Sequence, residues 1–304
     1  MATAGISPKP SPTSLRKNGA AAPFILSDPR PVLVTLACCV ALAASLSAQW
    51  PAFVRADVPR NADGTPNLSA PAPRQPTGKP DLSGVWESRI PPSGRLGGPM
   101  IPNIGDGPPV ATFANAGRNM QGGLPYTPWA AELRKQRMST FSQDNPDANC
   151  LPVGFMQQNT HSQPRSIVQT KDDMLIAYEA NGGLRHVFLD GRTLPANDPQ
   201  PWWQGYSVGR WDGDTLVVDS AGFRDDGWLD VDGSYFGSTT KVTERFRRVN
   251  YGRLELDITV EDAKAYTRSW TVRVNYRLIP DQQLIEFVCN ENERSSKHYI
   301  GAPR

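Results

Sequence analysis

Histidine is scarce in this 304-residue chain: His161, His186 and His298 are the three, and no two form an H-x-H or H-x-x-x-H pair. That argues against a zinc site built on paired imidazoles, and no metal is expected. A phosphate-cradling P-loop is missing, as is a G-x-G-x-x-G after a strand, so no nucleotide cofactor is expected, nor any other. Net charge is nearly absent too. The formal value is +2 with no basic stripe, which argues against nucleic acid as a partner. Beyond residue 48 no apolar run approaches the length of a membrane span. Cysteine is rare, with four in the chain, and two of those sit in an N-terminal apolar run.

That run, Val32–Ala48, follows a polar start carrying Lys9, Arg16, Lys17 and Arg30, and it ends in small residues. The pattern is that of a signal peptide over 1–48; the alternative is an uncleaved inner-membrane anchor. Either way the rest of the chain is expected in the periplasm or outside the cell, with no membrane insertion after cleavage. Cleavage takes four of the 32 Lys/Arg and one of the 30 Asp/Glu, leaving 28 against 29. Cys38 and Cys39 leave with the peptide. Cys150 and Cys289 remain, and an oxidising compartment points to one disulfide between them, the alternative being two buried thiols.

Residues 49–79 are rich in Pro, Ala and Asn and poor in large apolar side chains, as expected of a flexible leader. The remainder, 80–304, reads as one domain. Its helix candidate is Thr127–Phe141, capped by Thr127, with Pro128 in the first turn and a stripe of Trp129, Leu133 and Met138. Around it lie short β-rich runs separated by turn residues, among them the Asp212-Gly213 hairpin signal. With the Trp86 segment and Gln282–Cys289 they make about ten strands at hairpin spacing. The expected fold is a mainly β, antiparallel up-and-down barrel, lipocalin-like, with an irregular N-terminal wrap. No internal repeat is evident.

The stretch from Gly205 to Gly209 reads G-x-S-x-G, the written form of a serine-hydrolase nucleophile elbow. An elbow needs strand, sharp turn and helix, whereas Ser207 is followed by a hairpin and another strand. Ser207 is therefore read as a small strand residue, with Gly205 and Gly209 marking close packing.

Strand alternation nominates other groups. Glu244 shares a face with Val242 and Phe246, so an inward-facing strand would carry a buried carboxylate. Such a group serves as a general acid or base, or else pairs with an arginine. His186 lies on one face with Leu184, Phe188 and Asp190, though Asp190 is about 13 Å along the strand, too far to touch. Asp225, Asp226, Asp230 and Asp232 crowd one loop without the spacing of an EF-hand. Glu244, His186 and Asp230 are the catalytic candidates, with Arg192 and Arg245 to steady negative charge. Aromatic residues concentrate between Trp202 and Phe236. Trp203, Tyr206, Trp211, Trp228 and Tyr235, with Arg192 and Arg245, are the candidate ligand-binding residues.

Two resemblances follow from these motifs. Gly84-x-Trp86 in "DLSGVWESR" resembles the opening strand of lipocalin-type barrels. From Asn149 to Asn292, "FLDGRTLP", "GYSVGRWDGDTLVVDSAGF", "WLD" and "TERFRR" resemble the signature of an uncharacterised family of exported bacterial β-barrel proteins. The resemblance implies an exported barrel. It also marks two departures: relatives commonly carry histidine where this chain has Tyr206, and another near Ser238.

Together these readings lead to an exported barrel that binds a small apolar or aromatic molecule in its mouth. The alternatives are a cofactor-independent lyase, isomerase or hydratase using acid/base groups in the barrel cavity, and a cell-surface recognition protein.

Overall fold

Alternating side chains close the sheet on itself. The structure, a computed structural model, describes residues 54–89, 107–196, 200–289 and 291, all within one unit spanning 53–304. The strands are β1 (Gly84–Ser88), β2 (Arg165–Gln169), β3 (Asp173–Tyr178), β4 (Leu184–Phe188), β5 (Tyr206–Asp212), β6 (Thr215–Ala221), β7 (Lys241–Asn250), β8 (Arg253–Glu261) and β9 (Trp270–Leu278). They pair in sequence order, and β9 pairs with β1, so the barrel is closed. Closure leaves no unpaired edge to recruit another chain.

The barrel departs from the expected meander in two ways. Gln282–Cys289 joins no ladder, which leaves nine strands among the described residues. And β4 and β5 run parallel, sharing only Val187↔Ser207 and Phe188↔Val208, while every other neighbouring pair is antiparallel. The connection between them, residues 189–205, is far longer than a hairpin turn, and its Pro195 and Pro201 donate no backbone hydrogen bond. The barrel is therefore mixed.

The inward register agrees with the alternation. Leu254, Leu256, Ile258 and Val260 of β8 face Tyr276, Val274, Val272 and Trp270 of β9 across the ladder, all buried. Val242, Glu244 and Phe246 of β7 point the same way and are buried. Trp86, Ile167, Met174, Ile176, Leu216 and Val218 complete a packed lumen.

Packed side chains occupy both ends. A six-residue helix, Phe155–Thr160, is buried along its whole length and plugs one end. Phe155 stacks on Phe236 at 5.7 Å, and Phe223 meets both rings edge-on. At the other end Trp86 donates from its indole N–H to the Leu82 carbonyl (3.0 Å), with Arg248 4.9 Å from the ring.

The described part of the segment expected to be a flexible leader carries turns that the composition hid. Pro59–Ser69 and Pro73–Ser83 share the pattern P-R-x-x-x-G-x-P-x-L-S, so the chain does contain an internal repeat. Each copy folds into the same turn. Arg60 donates to the Gly64 carbonyl and Arg74 to that of Gly78; Asn67 N–H reaches the Pro59 carbonyl and Asp81 N–H that of Pro73. The leucines anchor both copies: Leu82 is fully buried, and Leu68 packs against the core beside Gly252.

The other helix, Pro128–Ser139, has Thr127 as its N-cap accepting from Ala130 N–H, with the proline at its start. Leu133 of the expected apolar stripe packs against the core, but Trp129 and Met138 are exposed and do not hold the helix, whose buried residue is Ala130. Its arginines do: Arg134 pairs with Asp232 at 2.7 Å, and Arg137 donates to the Gly233 carbonyl and lies 4.4 Å from the Trp228 ring. Cys150 and Cys289 form a disulfide. It ties the wrap to the tail beyond β9 rather than to a last strand. No helix among the described residues is long and apolar enough to cross a membrane; the Val32–Ala48 run lies outside them.

Candidate functional site

The lumen comes first, because Glu244 was expected to serve a cavity there. Glu244 is fully buried and takes both ends of the Arg185 fork, Nη1 at 2.9 Å and Nη2 closer still. Arg185 also donates to Ser207 Oγ through Nε and Nη2 (both 3.1 Å) and to Ser220 Oγ (3.0 Å). Burial alone would destabilise the Arg185 cation, but the Glu244 carboxylate outweighs it and the pKa is raised. Ser207 is therefore an arginine ligand from β5, hydrogen-bonded to Ser220 at 2.8 Å, and no histidine among the described residues is hydrogen-bonded to it. Its flanking glycines are needed for packing. Gly205 has φ +68°, and a Cβ there would fall 2.4 Å from Phe223; one on Gly209 would fall 2.5 Å from Leu189.

A second lumen arginine, Arg165, donates to the Asn159, His161 and Gln163 carbonyls and sits 4.6 Å from the Tyr276 ring. It pins the plug helix. Lumen polarity thus goes into holding strands and plug together.

The other proposed cavity groups do not join Glu244. His186 faces outward, where its Nε2 meets Asp173 Oδ1 at 2.6 Å. Its carboxylate partner comes from β3, while Asp190 pairs with Arg192. Arg192 lies 3.8 Å from the Phe188 ring and donates to Tyr206 OH (3.1 Å) on the outer wall. Arg245 is exposed and pairs with Asp212 at 2.9 Å. The error was in assigning faces: Leu184 and Phe188 look like core residues, yet Arg185 and Val187 point inward and Leu184 is exposed.

Asp230 does occupy a buried site, but outside the lumen. Its carboxylate accepts from the N–H groups of Ala116 (3.0 Å) and Ser234 (3.1 Å) and from Ser234 Oγ (3.0 Å). Burial pushes its pKa up to about 6 despite these donors. Tyr126 OH meets Ser234 Oγ at 2.7 Å, and burial lifts that phenol to about 12. The neighbouring aspartates have separate partners. Asp225 accepts from Tyr235 OH and from the N–H and hydroxyl of Ser238, which hold its pKa down. Asp226 pairs with Arg224, and Asp232 with Arg134. Among the described residues no group of three or more His, Cys, Asp or Glu is placed to hold a metal.

The candidate ligand-binding residues divide among three places. Trp211 sits near the far end of the barrel beside Lys79. Tyr206 is on the outer wall against Phe188 and Trp202. Trp203 and Trp228 come together at the plugged end, with Tyr235 buried behind them on Asp225. The two indoles line a pocket of about 400 Å³ with Arg137, Arg224, Asp225, Asp226, Asp144 and Leu151. Each ring carries its own guanidinium, Arg224 at 4.8 Å from Trp203 and Arg137 at 4.4 Å from Trp228. A guanidinium on a ring face is held by the π-cloud and still donates from its edge: Arg224 gives Nε and Nη2 to Asp226, and Arg137 gives Nη1 to the Gly233 carbonyl. The disulfide frames one wall, since Cys150 lies between the lining residues Pro146 and Leu151.

Sequence reasoning missed Arg185, Ser220 and Arg165 in the lumen and Arg137 and Arg224 in the pocket. A signal for Arg185 was present: it alternates with His186, so placing one outward places the other inward. Tyr206 and Ser238, the two positions singled out by the expected family resemblance, lie apart, Tyr206 on the outer wall and Ser238 on Asp225. No protein-family profile, curated protein or solved structure matches the chain.

Proposed function

We propose that this is an exported binding protein that takes a small ring-containing ligand with polar substituents between Trp203 and Trp228, in the loops over the plugged end of the barrel. One observation carries the reading: a pocket lined by two tryptophans, each with an arginine on its face, and edged by Asp144, Asp225 and Asp226. Indoles supply large rigid contact area, and the charged rim selects polar substituents. Export is supported by the Val32–Ala48 run and by a disulfide suited to an oxidising compartment. The test is equilibrium dialysis of the mature chain against aromatic and heterocyclic acids and amines. Trp203→Ala is expected to weaken binding of the best ligand by about tenfold or more; unchanged affinity in that variant contradicts the site.

Recognition of a larger molecule is a second reading, favoured by the exposed apolar row on the outer wall. Val168, Leu175, Leu184 and Trp202 are exposed there, around Phe188 and Tyr206. On that reading Trp202→Ala lowers retention of the protein on intact cells and leaves dialysis binding unchanged. Equal retention would sink it.

A further inference from the structure

The tryptophan pocket is more polar than its two indoles imply, and its polarity narrows what it can hold. Five of its nine lining residues are charged: Arg137, Arg224, Asp144, Asp225 and Asp226. Sites for apolar ligands are walled mainly by hydrophobic and aromatic side chains, with few polar groups. The charges here also nearly cancel, two guanidiniums against three carboxylates. Neither an anion nor a cation therefore meets a field of one sign. The matching ligand is neutral, with polar groups around its rim and an apolar face for an indole.

The charged groups are both reachable and held in place. The Arg224 side chain is 42% exposed and that of Asp226 62%. Arg224 gives Nε and Nη2 to Asp226 Oδ2 (3.2 and 2.7 Å), so Nη1 and Asp226 Oδ1 lie outside the pair. Asp225 is exposed as well. Tyr235 OH and the N–H and hydroxyl of Ser238 all donate to its Oδ1, which fixes the carboxylate and leaves Oδ2 outside those bonds. Trp228 is buried and forms the floor, whereas Trp203 is half-buried and is the ring on which a ligand can stack.

We propose that the ligand of this pocket is a saccharide, with the C–H face of one sugar ring on Trp203 and its hydroxyls on the Arg224–Asp226 pair and Asp225. This assignment rests on the binding function proposed above and narrows its ligand class. A hydroxyl both donates and accepts, so neighbouring hydroxyls on a sugar ring suit a guanidinium and a carboxylate set side by side.

Calorimetric titration of the mature, disulfide-bonded protein tests the assignment. The probes are glucose, galactose, mannose and N-acetylglucosamine, and the disaccharides cellobiose, maltose and lactose. Saturable binding of at least one is expected. Tighter binding of a disaccharide identifies the end of a glycan chain as the ligand, and equal binding a free monosaccharide. Trp203→Ala should weaken binding by about tenfold or more. Arg224→Gln should do the same, and it keeps the test decisive if Trp203→Ala loses its circular dichroism spectrum. Arg245→Gln, at the exposed pair with Asp212 on the barrel wall, should bind as the wild type does. No saturable binding of any probe up to on the order of tens of millimolar, or wild-type affinity in both pocket variants, overturns the proposal. If an aromatic acid or amine then binds in a Trp203-dependent way, the saccharide class alone falls and the pocket stands; if none does, both fall.

Discussion

A carboxylate removed from water must be paired, held by hydrogen-bond donors or protonated, and two acidic residues here take different routes. Glu244 is paired, with Arg185 completing the charge and two serines completing the arginine. Asp230 has only neutral donors, and its pKa rises to about 6 from 3.8. The folded state therefore holds the proton more tightly than the unfolded chain. This group's contribution to stability is full below about pH 4 and is lost as pH rises through 6. About two pKa units correspond to about 3 kcal/mol. Urea unfolding of the wild type and Asp230→Asn across pH 4 to 7 should show the wild type losing about that much relative to the variant; a pH-independent difference contradicts it. The buried state of Glu244 was legible from alternation on β7. Its partner was not, because Arg185 stands among Leu184 and Phe188, whose apolar side chains mimic a core face.

At the scale of elements, the weakest join in the barrel is the parallel contact of β4 with β5, two residue pairs long. Arg185 spans it, reaching from β4 to Ser207 on β5, Ser220 on β6 and Glu244 on β7. Side-chain hydrogen bonds thus hold a seam where the backbone ladder is short. Removing one partner leaves an uncompensated buried charge, so Glu244→Gln should lower stability by about 3–5 kcal/mol. Replacing both, as in Arg185→Met with Glu244→Leu, should lower it by less than the sum of the single changes. Additive losses in denaturant titrations would show that the pair is not a unit. Turn and alternation signals made β6 to β9 legible because their hairpins are short and one face of each strand is apolar. The parallel join was not, since no local residue encodes which neighbour a strand finds after residues 189–205.

For the whole molecule, loops and the end of the helix Pro128–Ser139, rather than barrel strands, build the candidate site. The Cys150–Cys289 bridge closes 139 residues of sequence and holds the wall that contains Pro146 and Leu151. On chain-entropy grounds, reduction should lower stability by about 4–5 kcal/mol. It should also loosen ligand binding at the tryptophan pocket. Unfolding midpoints unchanged by reductant would contradict this. Composition concealed the two P-R-x-x-x-G-x-P-x-L-S turns because each uses only one large apolar anchor. The aromatic concentration between Trp202 and Phe236 did mark the right region. It could not separate pocket from outer wall and core, because those loops lack the periodicity that assigns faces in strands.

On the proposed function, ligand is held at the loop-covered end and not in the lumen. Native mass spectrometry of the mature protein purified from its own host tests it most directly, comparing the wild type with Trp203→Ala and with the lumen variant Ser207→Ala. The predicted result is a bound small molecule in the wild type and Ser207→Ala spectra that is missing from Trp203→Ala. A ligand retained in Trp203→Ala but lost from Ser207→Ala would place the site inside the barrel and contradict the account.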